Sequence, residues 1–599
     1  MKKIIILMVM SLSLTSCEFL EQDPEQLNTI EKVFTNRTSL YQWYACLFSD
    51  DYILDYLNAG MFYYPFNNST DDAACLMDSP ATVITQGQLS PSSLSSNLFP
   101  VYYQGIRHAN IFLENIDQCT DLTESETSQL IAEARFMRAM YHFWLFQLYG
   151  PIPIVEQSYD VSSDTHLPAR NTVEECTEWI CGEFEWAAEN GLRSELIANA
   201  YGFPTKWVAK AMKARMLLLV ASPLYNGNTS YSGWTNDDGT VLMPQKYDVE
   251  KWKLAADAAL EVITESPHAL KKVALHDDGS DITFDEYVEN FQTVTTEWSD
   301  ETIWGKPSNT FWWTPSCLPG CVAGWNGRTS MTLELAAAYS MADGTSGLDM
   351  DEYFANPTFS TAPGDGTDTD TFSMFVGREA RFYASVHFPN QVISYAPSAH
   401  PDATYNIGFW YAGNSGLSVC SGDIPFTGLT PRKCIPLSAT SYKNESVETS
   451  IIPYPLIRLA EVYLIYCEAM NEYSGEDSHS SITTYLDELR GRSGLPALNT
   501  SLSKSDMREF IRNERRIELS WEMARFYDVR RWFIAHGTDG VFNQPVHGFD
   551  LMEGESATDL AFFQKTEIQS RTFRIEHYFF PIESSECAYN TNLVQAPFY

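Results

Sequence analysis

Basic residues are scarce in this chain. In 599 residues, 39 Lys and Arg stand against 78 Asp and Glu, a net charge of −39. A field of that sign repels phosphate backbones and anionic head groups, which argues against nucleic acid as a partner and leaves neutral, zwitterionic or cationic ligands. Long apolar runs are also missing, and no window past the N-terminus approaches the roughly 20 apolar residues a spanning helix needs. The signatures HExxH, GxSxG, GxxxxGK[ST] and GxGxxG do not occur, and the 11 histidines are scattered. No catalytic residue, cofactor or metal is therefore assigned from motifs. A glycoside hydrolase is not excluded this way, because it needs only two carboxylates at a set separation. None of the 12 cysteines forms a CxxC pair, so zinc-ribbon and thioredoxin-like readings have no support. Cys317 and Cys321 flank Leu-Pro-Gly in a predicted loop and are placed to bridge. Cys176 and Cys181 lie on a predicted helix, with poor geometry for bridging.

What is present begins at the N-terminus. Lys2 and Lys3 precede an apolar stretch, Ile4 to Leu14, of the length of a secretory core. Leu14-Thr15-Ser16-Cys17 then resembles a bacterial lipobox, in which the cysteine is acylated and becomes the mature first residue. The expectation is a signal peptide over 1–16 and a mature chain, 17–599, held on the outer-membrane lipid by acylated Cys17. Glu18, Glu21, Asp23 and Glu25 make the tether acidic, and such residues resemble a surface-export signal.

Aromatics are abundant, with 34 Phe, 32 Tyr and 15 Trp. Helical spacing of apolar residues predicts helices over 129–148, 172–190, 205–220, 252–264, 456–470, 481–490 and 505–532, the last being the longest. Gly150-Pro151 ends the first, and Ser503, Ser505 or Asp506 is a candidate cap for the last. Stretches 61–100, 222–245 and 307–454 have no period and are rich in Gly, Pro, Ser, Asn, Asp and aromatics. A short strand is expected near Arg381 to Phe388. The layout is a helical frame carrying long loops, where binding residues usually lie.

Several segments resemble the SusD/RagB family of surface nutrient-binding lipoproteins. They are Ala132-Glu-Ala-Arg-Phe-Met-Arg-Ala-Met-Tyr-His-Phe143 with Leu148-Tyr-Gly-Pro-Ile-Pro-Ile-Val155, the late helix Arg458 to Ala469, Leu489-Arg-Gly-Arg-Ser-Gly-Leu-Pro496, Glu514 to Trp532, and the terminal Gln595-Ala-Pro-Phe-Tyr599. Ala596, Phe598 and the proline turn at 150–153 depart from the family pattern. The resemblance implies a mostly α fold with tetratricopeptide-like helix pairs, long irregular loops and a few short strands. It divides the mature domain into a helical half at 17–300, a loop-rich ligand-facing insertion at 301–454 and a C-terminal helical half at 455–599. It also implies a non-enzymatic protein that captures oligosaccharide or polysaccharide and passes it to a SusC-like TonB-dependent transporter. Peptide capture, a secreted glycosidase and a pure protein scaffold remain alternatives.

Arg135, Arg138, Glu461, Glu468, Arg515, Arg516, Glu518, Arg525 and Arg530 fall on the predicted helices. They are expected to pair within the chain at i,i+3 and i,i+4 spacing. The ligand site is expected in the loops. A sugar ring needs a flat aromatic against its C–H face and planar polar groups around its hydroxyl rim. Candidates are Trp312 and Trp313 with Trp325, Asn326 and Arg328; Trp234 between Tyr231 and Asn236; Tyr64 with Asn67 and Asp71; and Trp410 with Tyr411 and Asn414. Asp365 to Asp370 lacks the spacing of a helix-loop-helix calcium site and reads as a solvated turn.

Overall fold

The computed structural model describes residues 30–49, 66–74, 79–159, 167–196, 201–322, 329–360, 370–420, 425–441, 447–498 and 501–599. Cys17 and the segment Asp365–Thr369 lie outside them. About 44% of the described residues are helical, and the strands among them are few and short. No helix among the described residues is long and apolar enough to cross a membrane.

The frame is built from α1 (Arg37–Cys46), α2 (Leu98–Asn115), α3 (Glu124–Tyr149), α4 (Val173–Asn190), α5 (Lys206–Ala221), α6 (Glu250–Glu265), α7 (Leu459–Ser474), α8 (His479–Gly491), α9 (Lys504–Glu518) and α10 (Ala524–Arg531). Successive helices from α2 to α6 pack on one another, and α7 joins the stack against α6. Local chemistry sets their starts. Thr123 with Glu126 and Thr172 with Glu175 form reciprocal capping boxes on α3 and α4, and Thr205 caps α5. α3 is the longest of these, at 26 residues. It is buried on nearly all sides, as its Phe, Met, Ala and Leu content requires.

Two long strands, β1 (Thr302–Asn309) and β2 (Ile451–Arg458), pair antiparallel with Asn309 opposite Ile451. This ribbon borders two hydrophobic cores. One core runs through the helical frame, and the other gathers aromatics from 313–454 with Phe549, Phe562 and Phe563. Pro307, Pro453 and Pro455 lie in the ribbon, and each removes a backbone donor that an added strand would need.

Three expectations are corrected. The predicted helix over 505–532 is two helices. Trp521 and Met523 take left-handed φ of 64° and 62°, and Asn67 clamps the turn by donating to the Trp521 carbonyl (3.2 Å) and accepting from the Met523 N–H (3.1 Å). The break sends Trp521 to the second core and Phe526 to the first. The segment near 381–388 is mainly a helical turn, Ala380–Ser385, and only Val386–His387 pairs as strand. Cys317 and Cys321 are both free thiols. Cys317 ends a short helix and points into the second core, whereas the Cys321 N–H is tied to Ser415 Oγ at 2.9 Å.

Most of these charged residues pair within the chain, but mainly across elements rather than along one helix, and Arg530 instead donates to the Tyr578 backbone carbonyl. Arg458 bonds Glu518 (2.6 Å), Glu301 (2.8 Å) and Glu522 (2.8 Å). Glu518 also takes Arg492 and Arg381, and Glu522 takes Lys433 at 2.6 Å. Arg531 bonds Glu468, and Arg515 bonds Asp528. Burial alone would raise the Glu518 carboxyl, but the guanidiniums of Arg492, Arg458 and Arg381 hold it far below the usual carboxylate range. The pairs that Glu301, Arg381 and Lys433 make with Arg458, Glu518 and Glu522 join the frame to segment 301–454.

Candidate functional site: the tip of the ribbon

Where β1 ends, the chain turns sharply. Phe311 N–H donates to Asn309 Oδ1 at 2.9 Å, and Thr310 Oγ1 bonds the Thr449 hydroxyl and the Ser450 carbonyl (3.3 Å). Trp312 then precedes the short helix Trp313–Cys317, and its carbonyl accepts from Ser316 Oγ at 2.6 Å. This geometry separates two adjacent indoles. Trp313 is 1% exposed, donates Nε1 to the Lys433 carbonyl at 3.0 Å and packs on Trp521. Trp312 is 45% exposed and Phe311 50%; their rings meet edge to face, centroids 5.3 Å apart. Beside them, Ile451 is 68% exposed, and Ser438 bonds Ser450 (3.2 Å) next to exposed Leu437. The tip thus presents two large rings, two aliphatic side chains and several small polar groups. That arrangement covers an apolar face and meets a hydroxyl rim.

The other predicted positions lie elsewhere. Trp234 is buried, with its ring against Phe579 (5.2 Å) and the Arg170 guanidinium (5.0 Å), so it presents no face to a ligand. Trp313 is withdrawn in the same way. Asn67 and Asp71 are buried, Asn67 in the clamp described above. Asp71 is held by Arg525 (2.8 Å) and Arg516 (2.9 Å). Although burial opposes ionisation, those two guanidiniums hold its carboxyl well below its ordinary value. Trp410 is half-buried against the second core, in a tight loop where Asn414 Oδ1 accepts from Gly408 N–H at 2.9 Å; Tyr411 beside it is exposed. Tyr64, Trp325, Asn326 and Arg328 lie outside the described residues. Phe311 was missed by sequence reasoning. The run Phe311-Trp312-Trp313 carried the signal, but only the helix start at 313 decides which rings turn outward. Among the described residues, no group of three His, Cys, Asp or Glu is placed to hold a metal.

Comparison with known proteins agrees with this architecture. The family model described as "SusD family" matches residues 282–599, and one described as "Starch-binding associating with outer membrane" matches 18–218. A curated relative, SusD-like protein P25 of Formosa agariphila, is 22% identical over 89% of this chain and 90% of its own. A SusD-like protein of Bacteroides fragilis superposes with a TM-score of 0.72 at 22% identity, covering 95% of this chain and 98% of that one. A structure solved with xylogluco-oligosaccharide superposes with a TM-score of 0.58 at 17% identity, covering 92% and 97%.

Proposed function

We propose, for a chain that belongs to the SusD family, that it is a non-catalytic cell-surface lipoprotein that captures glycans and delivers them to a SusC-like TonB-dependent transporter in the outer membrane. The observation that carries the reading is the exposed Phe311–Trp312 pair at the ribbon tip, projecting from a rigid strand pair. A pyranose laid on Trp312 buries its C–H face, and Asn309, bonded to the Phe311 N–H, stands beside the rings to meet hydroxyls. Tyr411, exposed beside the half-buried Trp410, offers a further ring on the same lobe. A relative solved with an oligosaccharide and a family described as starch-binding support the ligand class. Acylated Cys17 supplies the anchor, and Cys17→Ser is expected to move the protein out of the membrane fraction.

Calorimetric titration with starch- and xyloglucan-derived oligosaccharides tests the proposal. Binding without release of reducing ends is expected; reducing ends would mean a glycosidase instead. The net charge of −39 favours one second reading, capture of cationic peptides. Peptide binding that weakens with salt, with no glycan bound, would put that reading in place of the first.

A further inference from the structure

The outward face of β1 carries another aromatic pair, Tyr201 with Trp298. Along the strand Lys306 and Ser308 are buried, while Pro307 and Asn309 are exposed. At Gly305 the outward position has no side chain, and the Trp298 indole occupies the space; a β-carbon there would come within 3.1 Å of its ring. Tyr201 stacks on that indole at 4.3 Å between centroids and 26° between planes, and is itself 40% exposed. The strand fixes this pair in place. The Gly202 carbonyl accepts from Trp304 Nε1 at 2.9 Å. Gly202, at φ 93°, lies so close to Pro307 that a β-carbon would meet the proline ring at 3.1 Å.

Gly305 to Asn309 is four steps of strand, about 13 Å, and Phe311 follows two residues later. The face between the two pairs exposes Pro307 and Asn309, with Ile451 opposite Asn309, while Gly305 and Pro453 are buried beside them, and none of these is charged. The ribbon's prolines also disfavour a peptide that would add as a strand, because they cannot donate to it.

We propose, resting on the glycan reading above, that Tyr201 and Trp298 form a second stacking platform and that the ligand is an uncharged, extended glycan long enough to lie on both aromatic pairs at once. Two weak contacts on one chain raise affinity through local concentration, so binding strengthens with chain length.

The test is affinity measurement on the full chain with short and long malto-oligosaccharides, short and long xyloglucan oligosaccharides, and the parent polymers. Tyr201→Ala is expected to weaken long-chain binding about fivefold and to leave the shortest ligands unchanged. Trp312→Ala is expected to weaken both. Tyr201→Phe keeps the ring and should bind as wild type; because Tyr201 is exposed, these variants keep the fold whatever Trp298→Ala does. Long-chain affinity unchanged in Tyr201→Ala but reduced in Trp312→Ala would remove the second platform and leave the glycan reading standing. Equal loss for short and long ligands in Tyr201→Ala would overturn the bridging arrangement. No binding by wild type to any of these probes would remove both.

Discussion

The helical frame and segment 301–454 use the same residue types for different ends. In the frame, tryptophans on helices close gaps between them: Trp207 on α5 and Trp252 on α6 are both buried. In segment 301–454, one indole of an adjacent pair enters the core and the other faces solvent. The frame has a helical period that assigns each ring a side. The lobe has turns, short strands and left-handed residues, which aim side chains one at a time. A regular element therefore hides its aromatics as a class, and an irregular segment can expose a chosen few.

The seam between the regions is the most sensitive point of that contrast. Glu518→Ala strips Arg381, Arg458 and Arg492 of a shared buried partner and is expected to destabilise the fold by about 5 kcal/mol, read by urea unfolding. Little change would mean that the two regions do not depend on this network. Next comes the indole pair. Trp313→Ala is expected to cost about 3–4 kcal/mol through its cavity, whereas Trp312→Ala should stay within about 0.5 kcal/mol. Similar losses at both positions would erase the distinction between buried and displayed rings.

Acid is expected to weaken the frame. Burial lowers His142 from 6.5 to about 3 and His577 to about 4. Between those values and 6.5 the unfolded chain binds protons that the folded sites refuse. This contribution is therefore whole above pH 6.5 and is lost as pH falls, by at most about 2 kcal/mol per histidine down to about pH 5. Unfolding midpoints at the two pH values check it, and a higher midpoint in acid would reverse the sign. The smallest effect has the opposite direction. Gly182 lies inside α4 with open space where a β-carbon would go, so Gly182→Ala should stabilise by about 0.5–1 kcal/mol.

The frame was legible in the sequence because its signals are local. Thr172 and Glu175, Thr205, and the Gly150-Pro151 stop each mark an end that the structure keeps. Thr123 with Glu126 carried an equally clear cap, although apolar spacing alone put the start of α3 at 129. The break after Glu518 was not legible. Leu519-Ser-Trp-Glu-Met523 contains no glycine or proline, and the left-handed turn depends on Asn67, more than 400 positions away in the chain. The ion pairs failed in the same way: the partners were recognisable as helical charges, but Glu518 and Arg458 meet only through the tertiary fold. At the site, composition singled out Trp312 and Trp313 together. Separating them required the strand end at Asn309 and the helix start at Trp313.

The most direct test of the display claim is affinity electrophoresis of wild type, Trp312→Ala and Tyr589→Ala in gels containing xyloglucan or starch. Tyr589 is 64% exposed but lies on a short helix near the C-terminus, so it controls for the loss of any surface ring. Retardation of wild type and Tyr589→Ala, with clear loss in Trp312→Ala, is the expected result. Equal retardation of all three would contradict the claim that the ribbon tip holds the ligand.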